Sequence, residues 1–242
     1  MGRAAAVLKT RRVAAFVVAA AVVVAWFEIA PRLGGLHLWP TILLVSLVVM
    51  PGTLLLALIA LPLWRERWLF PAAVVLALIA FGCAQAGWGL AGNFAKLWAA
   101  IFAGWAFIRL FEELSWVVLV AFVIPLVDIV SVWKGPTKTI TEHHFHVYTA
   151  VAIAFVVPGG AAAYLGPPDV LFFALFLAAA HRWKLRVVVT WLAMTGMYAF
   201  TVILATATNV DGLPALPFLS FGFLAANGDM LWRSLRGTHG SP

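Results

Sequence analysis

The stretch Leu114–Trp133 reads LSWVVLVAFVIPLVDIVSVW, and its one ionisable side chain is Asp128. A helix needs about 20 apolar residues to cross the hydrocarbon core of a bilayer. The stretch therefore predicts a transmembrane helix that carries a single carboxylate. Ionisable groups are costly in lipid and usually mark a functional site, so Asp128 is a candidate functional residue.

The remainder of the chain has the same character. Of its 242 residues, 64% are hydrophobic and 10% are charged, with a mean hydropathy of +1.04, whereas soluble domains carry about 25% charged residues. This composition predicts an all-α polytopic membrane protein, with residues 1-242 as a single domain. Seven further spans are expected, at Val13–Ala30, Trp39–Trp64, Trp68–Gly87, Phe94–Leu110, Leu165–Lys184, Leu185–Thr208 and Pro214–Leu231.

The basic residues predict the orientation of the chain. Its net charge is +7, and the Lys and Arg residues lie in short connectors between the apolar segments. With eight spans, most of them fall on the side of the N-terminus, and the positive-inside rule then places both termini in the cytoplasm. We expect a multi-pass protein of the cell membrane whose partner is the lipid bilayer. No basic stripe is interleaved with exposed aromatic residues, so no nucleic-acid partner is expected.

The segment Val147–Leu165 permits two interpretations. It is apolar enough to span, but it is rich in β-branched and aromatic residues and is interrupted by Pro158-Gly159-Gly160, a pattern typical of strand, turn and strand. A further span would make the number of spans odd and place Asp128 and Asp169 in opposite leaflets. We therefore expect a non-spanning outer loop from Lys134 to about Tyr164, with a hairpin near Ile153–Val157.

Asp169 is the second acidic residue that lies within an expected span. At 1.5 Å per residue, Asp128 lies about 7.5 Å inside the outward end of its span, and Asp169 lies about 6 Å inside the next one. Two carboxylates at one depth could share a proton and activate a water for peptide hydrolysis. The alternative is that each Asp makes its own hydrogen bond between helices.

Three short motifs lie in order along the second half of the chain. Asp128 ends the sequence Pro125-Leu126-Val127-Asp128, and Asp169 ends Tyr164-Leu165-Gly166-Pro167-Pro168-Asp169. The third motif, Pro214-Ala215-Leu216, opens the last span. From Leu114 onward the chain resembles the presenilin and signal peptide peptidase family of intramembrane aspartyl proteases, with its GxGD and PAL motifs. Pro168 stands where the family has the second glycine, and Val127 where many members have tyrosine.

The resemblance implies a presenilin-like fold in which 1-111 form the N-terminal helices and 114-231 the catalytic helices. It implies that Asp128 and Asp169 are catalytic. Gly166 and the residues Pro214, Ala215 and Leu216 would bind the substrate, since the PAL backbone lies beside the two aspartates in the family. The substrate would be a transmembrane peptide or protein, such as a signal peptide remnant or a single-span protein. No cofactor or metal is implied.

Two other functions are compatible with the sequence. Asp128 and Asp169 could be ion sites of a transporter or channel, for which a helix broken at Pro51-Gly52 would be suited. A presenilin-like binding protein without catalysis is the other, and Pro168 is its main support. The cluster His143, His144 and His146 could bind a metal or respond to pH, but clustered histidines in a loop are usually solvated.

Overall fold

A computed structural model describes residues 2–134, 145–210 and 213–237. The described structure is mostly helical (82%). Within these ranges, six helices are long and apolar enough to cross a membrane, at Thr10–Arg32, Leu38–Arg65, Leu69–Ala86, Gly89–Leu110, Leu114–Ser131 and Val187–Thr208. These features agree with the prediction of a helical membrane protein.

The first half contains four long helices. They are α1 (Gly2–Ile29), α2 (Leu38–Arg65), α3 (Leu69–Ala86) and α4 (Gly89–Phe107). Gly87 ends α3 in the left-handed conformation, with φ of 72°, so that α4 begins at Gly89 and packs antiparallel against α3. The expected start of this helix at Phe94 was too late, since residues 89–93 are already helical.

Helix α2 changes its winding where the sequence predicts a kink at Pro51-Gly52. It runs as an α-helix over Leu38–Leu44, as a π-helix over Val45–Val49, as an α-helix over Met50–Ala60 and as a 3-10 helix over Leu61–Arg65. Pro51 lacks an N–H and its ring collides with the preceding turn of a regular α-helix. The wider π turn immediately before it relieves that collision.

The second half contains the two predicted Asp helices and the hairpin between them. Its elements are α5 (Leu114–Lys134), α6 (Phe145–Val151), β1 (Ile153–Val156), β2 (Ala162–Leu165), α7 (Pro167–Arg182), α8 (Val187–Thr208) and α9 (Leu216–Gly237). The strands are antiparallel, with Ile153 opposite Leu165 and Val156 opposite Ala162. The hairpin expected near Ile153–Val157 is therefore present.

The turn of the hairpin rests on the connection between α1 and α2. Gly159 and Gly160 have φ values of 88° and 80°, which non-glycine residues rarely adopt. The Gly159 N–H donates to the Leu33 carbonyl at 3.0 Å, and its α-carbon lies close to Gly35. Glycine is required at Gly159 for both the dihedral angle and this close approach.

Helix α7 forms the centre of the bundle. Every residue from Phe173 to Ala180 is fully buried. Gly104 allows α4 and α7 to approach each other closely, because a Cβ at this position would overlap the Leu171 carbonyl oxygen of α7. On another side of α7, Phe176 stacks on Phe223 of α9 with ring centroids 4.7 Å apart.

Two of the expected spans are not among the six candidate helices. Helix α7 has only 16 residues, because Gly166 caps it at one end and Lys184 turns the chain with a φ of 55° at the other. Helix α9 begins at Leu216 and continues to Gly237, beyond the expected end at Leu231. Its final turns are polar, so its hydropathy is lower than that of the six.

Candidate functional site

Asp169 lies in the first turn of α7, next to the strand β2. Its Oδ2 accepts a hydrogen bond of 2.9 Å from the Gly166 N–H, and its own N–H donates to the Gly166 carbonyl at 3.1 Å. A carboxylate at this position satisfies a free donor at the helix N-terminus and is favoured by the helix dipole. The side chain is partly buried, and the bond from the Gly166 N–H holds its carboxylate.

Asp128 lies in α5 and contacts the beginning of α9. Its Oδ2 accepts a hydrogen bond of 3.0 Å from the Leu216 N–H. Leu216 is the first residue of α9 and belongs to the Pro214-Ala215-Leu216 motif. Asp128 therefore caps the N-terminus of a helix distant in sequence and joins α5 to α9, which also pack along their lengths.

The structure brings the two aspartates into one region. The negative charge of Asp128 acts on Asp169, so the carboxylates lie within electrostatic range of each other. Each carboxylate also lies at a helix N-terminus, Asp169 at that of α7 and Asp128 at that of α9. The dipoles of these two helices direct positive potential toward the region between them.

Two tyrosines border this region. The Tyr198 hydroxyl of α8 donates to the Asp169 carbonyl at 2.7 Å, and its ring stacks on Phe173 at 6.0 Å. Tyr148 of α6 packs edge-to-face against Tyr164 of β2. Burial, followed by the charges of Asp169 and Tyr164, raises the pKa of Tyr148 to about 12. A tyrosine is neutral near pH 7 even at its ordinary pKa, so this shift only extends the pH range over which the Tyr148 hydroxyl stays protonated.

Of the four expected substrate-binding residues, Leu216 contacts Asp128 and Gly166 contacts Asp169. Pro214 and Leu216 are buried, Ala215 is partly buried, and Leu216 donates directly to Asp128. A Cβ on Gly166 would lie 3.2 Å from Asp169 Oδ2. This crowding gives a physical reason for glycine at Gly166, whereas Pro168 is exposed and occupies the first turn, where proline fits a helix.

Side chains of the first half occupy the outer edge of β1. Asn93 of α4 donates to the Ala154 carbonyl at 2.9 Å and accepts from the Ala154 N–H at 2.7 Å. The Trp26 indole of α1 donates to the Val156 carbonyl at 2.9 Å. Lys96, one turn after Asn93, donates to the carbonyls of Thr149, Ala150 and Ala152 at the end of α6. These bonds fix the chain that leads from α6 into the hairpin.

Asn93, Lys96 and Tyr198 were not predicted to be part of the site. Asn93 and Lys96 lie three residues apart in an apolar helix, so they share one face. That spacing was the available signal for a polar contact with the loop. Tyr198 gave no signal, since a single tyrosine in a span is ordinary.

A metal site is not formed by the described side chains. Within residues 10–131, 148–210 and 213–234, no group of three or more His, Cys, Asp or Glu side chains could hold an ion. The cluster predicted as a possible metal or pH site lies outside them, since His143, His144 and the side chain of His146 are not described.

Comparisons with models of known protein families, with curated proteins and with solved structures found no match.

Proposed function

We propose that this protein is an intramembrane aspartyl protease of the presenilin and signal peptide peptidase type. It hydrolyses peptide bonds within transmembrane segments by means of Asp128 and Asp169. One observation carries the proposal: two carboxylates from different apolar helices lie within electrostatic range of each other at two helix N-termini. The PAL-like motif supports it, because Leu216 is in direct contact with Asp128.

The proposed chemistry needs only the two carboxyl groups and a water. Repulsion between neighbouring carboxylates in a low dielectric favours one shared proton. The ionised carboxyl takes a proton from water, whose oxygen attacks the peptide carbonyl, while the protonated carboxyl gives its proton to the carbonyl oxygen. The tetrahedral intermediate then collapses as the carboxyl that took the water proton gives it to the amide nitrogen, which leaves as an amine, and the other carboxylate recovers its proton from the diol hydroxyl.

The substrate has to be extended for this attack, because the carbonyls of a wound helix are bonded within the helix. Once unwound in lipid, its backbone groups need new partners, and addition to a strand edge provides them. The outer edge of β1 is occupied by Asn93 and Trp26. We therefore place the substrate strand along Ala162–Leu165 of β2, which leads directly through Gly166 to Asp169.

The proposal includes a specific topology for the chain. Helices α7 and α9 cross the membrane together with the six long apolar helices, so eight spans place both termini in the cytoplasm. Basic residues on the N-terminal side support this orientation. Substrates would be signal peptide remnants or single-span proteins whose unwound segment reaches the outer half of the bilayer.

The test is cleavage of a single-span model substrate by purified protein in liposomes. Asp128→Asn and Asp169→Asn should each lower the cleavage rate by about 10²-fold or more, with a thermal unfolding midpoint close to that of the unchanged protein. Glu113→Gln is the matched control, because Glu113 is an exposed acid whose one hydrogen bond with a described residue comes from the Ser115 hydroxyl. Cleavage that persists in both Asp variants would refute the assignment.

A second function, substrate binding without catalysis, is favoured by one observation. Both carboxylates already accept a backbone hydrogen bond at a helix N-terminus, which is a sufficient structural reason for each. In that case the unchanged protein would capture a single-span peptide in liposomes and leave it intact. Capture that survives Asp169→Asn, together with absence of cleavage by the unchanged protein, would identify this function.

A further inference from the structure

A groove remote from the two aspartates opens at the basic end of the bundle, on the side of the N-terminus. It lies between α1, the end of α2 and the junction of α7 with α8, and it has a volume of about 580 Å³. We propose that this groove binds one anionic glycerophospholipid from the adjacent leaflet. The proposal does not depend on the protease activity.

The polar end of the groove contains three nitrogen-bearing side chains, Arg11, Arg12 and His181. Neither arginine forms an ion pair with any described residue, and both are exposed. The charges of Arg65 and Arg12 both act on His181, so the positive charge is concentrated in one place. A phosphate diester complements this cluster, since guanidinium groups form charge-assisted bonds to phosphate oxygens.

His181 is held in an orientation suited to an anion. The Trp64 indole N–H donates to His181 Nδ1 at 3.1 Å, and the two rings pack edge to face. Because Nδ1 accepts this bond, the proton of the neutral ring is on Nε2, which can donate to a phosphate oxygen. The bond to Trp64 thus fixes both the tautomer and the direction of the ring.

The remainder of the groove is apolar and leads away from the charges into the membrane region. Its walls are formed by Ala15, Leu58, Ile59, Leu61, Pro62, Val187 and Val188. Helix α1 packs through Phe16, whose ring lies 5.7 Å from that of Trp98, whereas Ala15 and the two arginines before it are exposed. The space beside this end of α1 suits acyl chains below a bound headgroup.

A free phosphate is a poorer match than a lipid. Inorganic phosphate would use the arginines but would leave the apolar walls uncovered, whereas a phospholipid satisfies both parts of the groove. The cytoplasmic leaflet of cells is rich in anionic headgroups, which attract basic residues at the membrane surface. The groove would therefore select anionic over zwitterionic lipid and would hold α1 against the α7–α8 junction.

The test is native mass spectrometry of the full chain in detergent, titrated with phosphatidylglycerol or with phosphatidylcholine of identical acyl chains. We expect one tightly retained phosphatidylglycerol and a much weaker phosphatidylcholine adduct. The double variant R11Q/R12Q should weaken phosphatidylglycerol retention about 25-fold, at about fivefold for each arginine. Arg32→Gln is the matched control and should have no effect, because Arg32 is an exposed arginine just beyond the opposite end of α1, about 30 Å along the helix from Arg12.

A second variant tests the apolar part of the site. Ala15→Trp leaves the basic cluster intact but fills the groove, so it should also reduce phosphatidylglycerol retention. Millimolar inorganic phosphate should not displace the lipid. Equal retention of the two lipids, an equal loss in Arg32→Gln, full retention in Ala15→Trp, or displacement by phosphate would each overturn the proposal.

Discussion

Replacing Gly104 by alanine should destabilise the bundle at its most closely packed point. An added Cβ would overlap the Leu171 carbonyl oxygen and lie 3.0 Å from the Ala174 Cβ and 3.1 Å from the Leu175 nitrogen. Two of these three atoms belong to the backbone of α7 and cannot rotate away. The helices α4 and α7 must therefore separate, and overpacking of this kind costs about 1–3 kcal/mol.

Gly82→Ala is the matched control, since Gly82 lies in α3 with nothing within 4 Å of its added Cβ. Both changes gain about 0.5–1 kcal/mol from helix propensity, so the difference between them isolates the packing cost. Thermal unfolding in detergent measures it, at about 2–4 °C per kcal/mol for a chain of this length. If Gly104→Ala unfolds at the same temperature as Gly82→Ala, then α4 and α7 do not approach each other closely at Gly104.

Two further predictions concern the surroundings of Asp169. Asn93→Leu leaves the N–H and the carbonyl of Ala154 without their partner, at a cost of about 1–3 kcal/mol each. Hydrogen exchange of the Ala154 amide should therefore become faster. Asn93→Asp keeps the oxygen that accepts from this amide, so equally fast exchange in Asn93→Asp would show that the bond from the Ala154 N–H to Asn93 does not protect it. Gly166→Ala places a Cβ 3.2 Å from Asp169 Oδ2 and should lower cleavage on the order of tenfold; an unchanged rate would show that the carboxylate tolerates displacement.

The apolar segments and the hairpin could be predicted because each depends on a local pattern. About 20 apolar residues predict a span wherever they occur, and Pro158-Gly159-Gly160 between two β-branched runs predicts a turn. Asp128 and Asp169 were predicted from the cost of a charge in lipid, together with their order relative to Pro214. These arguments need no knowledge of the neighbouring helices.

The contacts between distant segments could not be predicted in this way. Nothing in the sequence around Asn93 indicates that its amide pairs with Ala154, because that bond depends on how α4 lies against β1. The length of α7 depends in part on Gly166 as its N-cap, whose N–H is bonded to the Asp169 carboxylate. The expected start at Leu165 was early for this reason, since hydropathy does not register a cap.

The short, enclosed helix α7 has a consequence for biogenesis. Its 16 residues span about 24 Å, less than the hydrocarbon core of about 30 Å, and eight consecutive residues have no lipid-accessible surface. As the chain is synthesised, α7 leaves the ribosome before α8 and α9, which later cover it. We expect Asp169 to reach its final environment only when the last helix inserts and brings Leu216 to Asp128. A chain that ends before α9 would then lack the bond between Leu216 and Asp128.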